Sequence, residues 1–365
     1  MNVGPLNLLI GANAAGKSNI LDALRFLAEG FSGKDFSRPL SMRGGPLHLA
    51  WKGEPAQPVE LKAECTRDNG ESLAWKVAVD SVAGKGKDAD EVSREEVILT
   101  SPGKPPSKLL SAEHGEGWWW SGEKRRLKLV APTGCALSAA MNDPGFLARD
   151  LGEFVTGWAF FDPDPQQIRR PAYAVDDGAP FDMHGRNLAQ RLFALQEEDN
   201  ERLERVVKAT RDILGLPNSV QPRHNEEDGR YYFVQREPGL EFPVIQAAVS
   251  SGTLRVLAFM LALFGEKDTR LVGIEEPENY VHPKALADLA ETIRAASEKV
   301  QVVITTHSPL LLSALGAPEA VRIVRRDPAA GTLAVAEGDP ASVASALEAS
   351  GFGLGEYYET QGFGA

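Results

Sequence analysis

Gly11, Gly16, Lys17 and Ser18 stand in the stretch GANAAGKSN at the spacing G-x-x-x-x-G-K-S. That spacing suits a triphosphate. Glycine backbones turn their N–H groups onto phosphate oxygens, a lysine ammonium reaches the β- and γ-phosphates, and a serine hydroxyl ligates Mg²⁺. Asn13, Ala14 and Ala15 lie between the glycines and Asn19 follows, so Gly11–Asn19 as a whole is the candidate cofactor-binding loop. Holding a nucleotide is not cleaving one. Hydrolysis also needs a carboxylate for the metal and a group that positions water. LVGIEEPENYVHP supplies two carboxylates together. Glu275 reads as the metal carboxylate beside Ser18, and Glu276 as the residue that orients or deprotonates the attacking water. His307, in VVITTHSP, is the second catalytic candidate, an imidazole able to sense the γ-phosphate.

These groups need elements to hold them. LNLLI (Leu6 to Ile10) is a short apolar run of the buried-strand kind, and Ile20, Leu21, Leu24, Leu27 and Ala28 fall on one helical stripe. The glycines therefore sit between a strand and a helix, the context a phosphate loop requires. RLVGIEE is a buried strand ending in the carboxylates, and VQVVITTHS is another with a polar tip. A parallel sheet places its active groups at such strand ends. PKALADLAETIRAASEK predicts an amphipathic helix between them, with His282 either shaping the site or simply preceding the helix entry. Ser308 and Pro309 read as N-cap and first turn of a further helix. SSGTLRVLAFMLALF predicts a loop and then a helix apolar almost all round, and AVRIVRR with TLAVAEG a closing hairpin around DPAAG.

The middle of the chain is different material. VELKAEC and LAWKVAVD alternate as strands of a partly exposed antiparallel sheet do. Residues 81–96 are polar and predict a loop. Residues 188–216 predict two helices broken near Glu198 to Asn200, and RYYFVQRE one more strand. The expected fold is α/β: a mostly parallel core sheet, an antiparallel β lobe and an inserted helical lobe. The corresponding domains are residues 1–30 with 245–365 for the core, 31–187 for the β-rich lobe and 188–244 for the helical insertion. WWWSGEKRRLKL (Trp118 to Leu129) is the conspicuous basic-aromatic cluster. It is either a phosphate-tracking, base-stacking surface or a hairpin with solvated charges and packed tryptophans, and the second is the simpler reading.

The 365-residue chain carries a net charge of −12, so it is not an electrostatic glove for DNA as a whole. Cys65 and Cys135 lie far apart and offer neither a disulfide framework nor a metal site. No apolar run approaches membrane-spanning length and no secretory signal precedes the first strand, which fits a cytoplasmic protein that does not enter the membrane.

Gly11–Asn19, VSSGT (Val249 to Thr253), GIEEPE (Gly273 to Glu278) and TTHS (Thr305 to Ser308) occur in the order and context of the ABC-type ATPases. The chain resembles their soluble branch, which includes the RecF, SMC and OLD-like proteins, and within it the compact ATPases often labelled AAA family, several of which serve in anti-phage systems. The resemblance implies the P-loop NTPase fold, ATP and Mg²⁺ as cofactors, and ATP hydrolysis. It also implies that Ser250 and Gly252 form a signature loop binding the γ-phosphate of ATP held by the opposite subunit, hence a head-to-tail homodimer. Such heads act as ATP-driven switches on DNA or on a DNA-acting partner, in phage defence or DNA repair. No nuclease constellation is evident, so any cutting falls to a separate effector protein, and direct DNA contact stays open. Three departures stand out. Val249 and Ser251 replace the Leu and Gly of transporters. Members of the branch normally have one or two strands ahead of the phosphate loop, whereas this sequence begins almost inside its first strand, so that either its start codon is misplaced or a strand is missing, and the adenine-stacking part of the site has no assigned residues. The glutamine that joins metal site to lobe has only Gln57 as a candidate. Two alternatives remain: the ATPase subunit of a transporter, against which Glu275 in the place of Asp weighs, and a non-hydrolysing sensor, which would leave Glu276 idle.

Overall fold

The computed structural model describes residues 1, 3–49, 58–80, 91–173, 179–215, 219–327, 331–335, 345, 347, 349 and 353–361. The initial apolar run forms β1 (Leu6–Ile10), and after the glycine loop the striped segment forms a helix, Lys17–Ser32. Two compact units emerge: residues 1–21 with 159–365, and residues 22–158. The segment 188–244, set apart as an insertion by composition, thus falls in the same unit as the phosphate loop.

Within residues 22–158, β2 (Val59–Thr66), β3 (Ser72–Asp80), β4 (Glu91–Thr100), β5 (Ser107–Glu113), β6 (Glu116–Trp120) and β7 (Lys124–Lys128) form one sheet in sequence order. Every neighbouring pair is antiparallel. Trp75 is fully buried beneath it, against the rings of Phe31 and Phe36. The polar run expected to be a loop over 81–96 is strand from Glu91 onward, while 81–90 lie outside the described residues. Charge hid this strand. Glu95 is buried, yet its carboxylate accepts from the Trp75 indole (2.9 Å) and from the N–H groups of Ala136 (2.6 Å) and Leu137 (2.8 Å). Burial pushes its carboxyl pKa up against those bonds.

The other unit adds β8 (Trp158–Phe161), β9 (Ala172–Tyr173), two helices, Leu188–Glu198 and Asn200–Leu214, then β10 (Ser219–Asn225), β11 (Arg230–Arg236) and β12 (Val244–Ile245). The helices break at Asp199, whose side chain accepts from Arg202 N and caps the second. Strands β9 to β12 form a small antiparallel sheet. The helix Ser251–Phe264 is buried along nearly its whole length, as its all-round apolar sequence predicts.

β13 (Leu271–Glu275), β14 (Gln301–Thr305), β15 (Val321–Asp327) and β16 (Gly331–Val335) complete a second six-stranded sheet, in the order β16-β15-β1-β14-β13-β8. β1 lies parallel to both β14 and β15, and β13 parallel to β14. β15 and β16 pair as an antiparallel hairpin. The helix Leu286–Ser297 carries the chain from β13 to β14, the βαβ unit read from sequence. Its apolar face, the helix Ser251–Phe264 and the helix Pro309–Leu315 bury Leu8, Ile10, Val272, Ile274, Val302 and Ile304 in one cluster. Parallel strands end on the same edge, so the loops after β1, β13 and β14 emerge side by side. Among the described residues no helix is long and apolar enough to cross a membrane.

Candidate functional site

The phosphate loop leaves β1 at Ile10 and enters its helix at Lys17. Gly11 and Gly16 both take positive φ (151° and 102°), and a side chain at either would meet Val324 or Thr332. Ala14 also has positive φ (61°), an unusual value for a residue with a Cβ. Asn13, Ala14, Ser18 and Asn19 are exposed, Ala15 is buried against the turn closed by Ala15 N and Ala12 O (3.2 Å), and Lys17 is 5% exposed. The Lys17 ammonium donates to the carbonyls of Gly11 (2.9 Å) and Ala12 (3.0 Å), bridging the loop it is built to serve. Burial lowers its pKa, and the Glu276 carboxylate partly offsets this.

Glu275 ends β13 opposite Thr305 of β14. Its Oε2 accepts from Ser18 Oγ at 2.7 Å, so the two candidate metal ligands are already in contact. A hydroxyl beside a carboxylate is an all-oxygen donor pair, which suits Mg²⁺. Glu276 follows with its N–H donating to Thr305 O (2.9 Å) and its backbone in the left-handed region, φ 43°. Such a conformation costs a residue with a Cβ about 1–2 kcal/mol and turns the side chain out of the strand direction. Asn279 Nδ2 donates to Glu276 Oε2 (2.7 Å), and His307 Nε2 stands 3.8 Å from Glu276 Oε1. That gap exceeds a hydrogen bond. The His307 pKa is lowered, first by burial and then by Lys17, with Glu276 and Glu278 opposing. The imidazole is therefore neutral at pH 7.

Sequence reasoning missed four groups that hold these residues. Glu278 Oε1 accepts from Thr306 Oγ1 (2.6 Å) and from His307 N (3.1 Å), which ties the carboxylate loop to the histidine loop. Asn279 orients Glu276, as above. Arg255 is 3% exposed in an apolar helix and donates from Nη2 to the carbonyls of Glu275 and Glu276 (both 3.1 Å). Its Nη1 donates to Pro163 O (2.6 Å) and to Asp162 Oδ1 (3.3 Å). The one signal in the sequence was an arginine within SSGTLRVLAFMLALF. Tyr358, on the helix Leu354–Gln361, donates to Gly11 O at 3.3 Å.

Ser250 and Gly252 sit elsewhere. Ser250 caps the helix Ser251–Phe264, its Oγ accepting from Thr253 N at 3.1 Å, and Arg169 steadies the turn through Val249 O and Ser251 Oγ. Gly252 packs against the Tyr280 carbonyl, where a side chain would not fit. Among the described residues no hydrogen bond joins Ser250 or Gly252 to the phosphate loop of the same chain. His282 Nδ1 accepts from Lys284 N (3.2 Å), a helix-entry role. Ser308 caps the next helix as its sequence predicts, accepting from Leu311 N. Gln57 lies outside the described residues.

A family profile described as "AAA domain, putative AbiEii toxin, Type IV TA system" matches residues 6–76 and 127–313. A 61-residue stretch is 39% identical to the "Old nuclease" of Escherichia phage P2, covering 16% of this chain and 10% of that protein. The chain thus matches about a tenth of that relative's length. Among solved structures, an Smc head with an extended coiled coil bound to the C-terminal domain of ScpA, derived from Pyrococcus furiosus, aligns over 95% of this chain and 94% of its own. The TM-score is 0.48 and the identity 11%. An Smc head bound to the C-winged helix domain of ScpA aligns over 90% of this chain and 91% of its own, with a TM-score of 0.46 and 15% identity. At these scores the likeness bears on no functional claim.

Proposed function

This chain belongs to that AAA-domain family, whose profile covers well over half of it, and from that premise we propose that it is a dimeric ATPase head, an ATP-driven switch acting on DNA or on a DNA-acting partner. One observation carries the reading: Lys17, Ser18, Glu275, Glu276 and His307 converge at one edge of a parallel sheet from three separate loops.

In this reading the N–H groups of Gly11–Asn19 and the Lys17 ammonium grip the triphosphate, the ammonium exchanging two backbone carbonyls for phosphate oxygens. Ser18 and Glu275 would hold Mg²⁺, which when bound neutralises phosphate charge and aligns the oxygens. Glu276 accepts the proton of the attacking water, while Asn279 fixes its rotamer. His307, neutral, offers a hydrogen bond to the γ-phosphate side, and Arg255 fixes the backbone that carries both glutamates. Ser250 and Gly252 face the triphosphate of a second copy, at another helix N-terminus suited to anionic oxygen. Binding energy from two ATPs then closes the dimer and hydrolysis opens it. The setting we favour is phage defence or DNA repair, with any strand cutting done by a separate effector protein.

Turnover of wild type against Glu276→Gln, with light scattering under saturating ATP and Mg²⁺, tests both halves. The expected variant is inactive and dimeric. Equal turnover would reassign the chain as a nucleotide-holding scaffold, and a variant that stays monomeric would remove the sandwich.

A further inference from the structure

The tryptophans of β6 divide by face, and Trp120 is the most exposed of the three. Trp119 pairs across the sheet with Leu110 and Arg125, and its indole donates to Asp143 Oδ2 (2.8 Å). That is an ordinary structural role. Trp118 and Trp120 point to the opposite face, as alternation demands. There they pair with Arg126 and Lys124 of the edge strand β7, and Glu116 pairs with Lys128. Trp120 is 36% exposed, Trp118 is half-buried, and Lys124, Arg126 and Lys128 are exposed. Lys124 Nζ lies 4.4 Å from the centroid of the Trp118 ring. Lys128 is paired with Glu116 (3.0 Å), whereas among the described residues neither Lys124 nor Arg126 has a carboxylate within salt-bridge range.

A face that only needs to be wet does not require an exposed indole such as Trp120, which is costly to leave in water, beside the partly buried Trp118. Nor does it require a cluster of exposed cations in a chain of net charge −12, of which Lys124 lies over the Trp118 ring and Arg126, among the described residues, feels only the Glu116 that Lys128 already pairs. An exposed ring face beside cations that hold no close salt bridge suits a ligand with flat apolar units on an anionic backbone. We infer that the outer face of the β6–β7 hairpin, built from Trp118, Trp120, Lys124 and Arg126, binds single-stranded DNA. Spacing favours a single strand over a duplex. Trp118 and Trp120 are two strand residues apart, about 6.8 Å, roughly twice the 3.4 Å step of a stacked strand. Successive bases meet both rings only where the strand is pulled open and its bases splayed. The choice of DNA over RNA rests on the proposed role above; the choice of a single strand does not.

The test is fluorescence anisotropy of a labelled 20-nucleotide thymidine oligomer titrated with the whole chain, with tryptophan emission followed in parallel. Wild type should bind with quenching, and more weakly as salt rises. W118A/W120A should weaken binding at least tenfold and abolish the quench. K124Q/R126Q, at exposed positions where misfolding is no concern, should lower the slope of log K against log salt by about 1.4, two contacts at about 0.7 each. ATP turnover should be unchanged in both, which separates failure here from failure of the ATPase reading. The inference is overturned if K124Q/R126Q binds like wild type, if duplex of equal length binds as tightly, or if only the matching RNA is retained.

Discussion

Ser18 Oγ and Glu275 Oε2 lie 2.7 Å apart across 257 residues of sequence. The serine begins a helix and the glutamate ends a strand, so the contact exists only because β1 and β13 flank β14 in one parallel sheet. A hard divalent cation prefers such an oxygen pair. Ser18→Ala and Glu275→Gln should each raise the Mg²⁺ concentration needed for half-maximal turnover, on the order of tenfold or more by analogy with losses at ligand-supporting positions. Binding of ATP without Mg²⁺ should change little in Ser18→Ala. A Mg²⁺ titration that superimposes on wild type would remove both residues from the metal site.

Glu276 combines a left-handed backbone, φ 43°, with a side chain held by Asn279. Strain of about 1–2 kcal/mol is retained there. Glu276→Gly should relieve it, set against glycine's greater entropy loss on folding. Its melting temperature should therefore equal or exceed that of Glu276→Gln. Both variants should lose turnover by about a hundredfold or more if the carboxylate handles the proton of water. A glycine variant that melts well below the glutamine variant would show that the conformation is not strained.

His307 gives a pH signature. Its pKa lies below the ordinary 6.5 because burial and Lys17 disfavour the imidazolium. Below about pH 6.5 the unfolded chain binds this proton more readily than the folded one, so stability falls as pH drops from there toward the folded pKa and is unaffected above. Replacing His307 with Gln should flatten that part of a melting-temperature profile between pH 7 and pH 5. The same variant should slow turnover at pH 7.5, where protonation is irrelevant. An unchanged profile would mean that the imidazole titrates normally.

Elements with local signals were legible from sequence. Ser308 caps the helix it precedes with Pro309 in its first turn, and the helix break read near Glu198 to Asn200 falls at Asp199, because capping and breaks are settled within four residues. The strand–loop–helix of the phosphate site was legible for the same reason. What stayed hidden depends on distant partners. β4 read as loop because the groups that neutralise buried Glu95 lie 20 to 42 residues away. Glu278 stood inside a recognised motif, yet its bonds to Thr306 and His307 require the β13–β14 register. Tyr358 reaches Gly11 from 347 residues away, and no spacing rule connects them.

Arg255 is the strongest of these hidden groups and the one whose loss separates folding from catalysis. It sits at 3% exposure and satisfies the carbonyls of Glu275, Glu276 and Pro163, while its partner Asp162 is 45% exposed and contributes little as an ion pair. Arg255→Ala takes this donor from the Glu275 and Pro163 carbonyls, while Glu276 O keeps the Asn279 N–H (3.1 Å); at about 1–3 kcal/mol for each acceptor that water does not reach, it should lower the melting temperature by several degrees. Arg255→Lys keeps the charge and one or two of the bonds but not the planar fork. It should fold, bind ATP with a KM close to wild type, and lose kcat about tenfold or more, because the backbone carrying Glu276 is no longer fixed from both carbonyls. A lysine variant with wild-type kcat would make Arg255 a packing residue only. A variant with an intact melting profile, unchanged KM and depressed kcat would establish it as the residue that positions both glutamates.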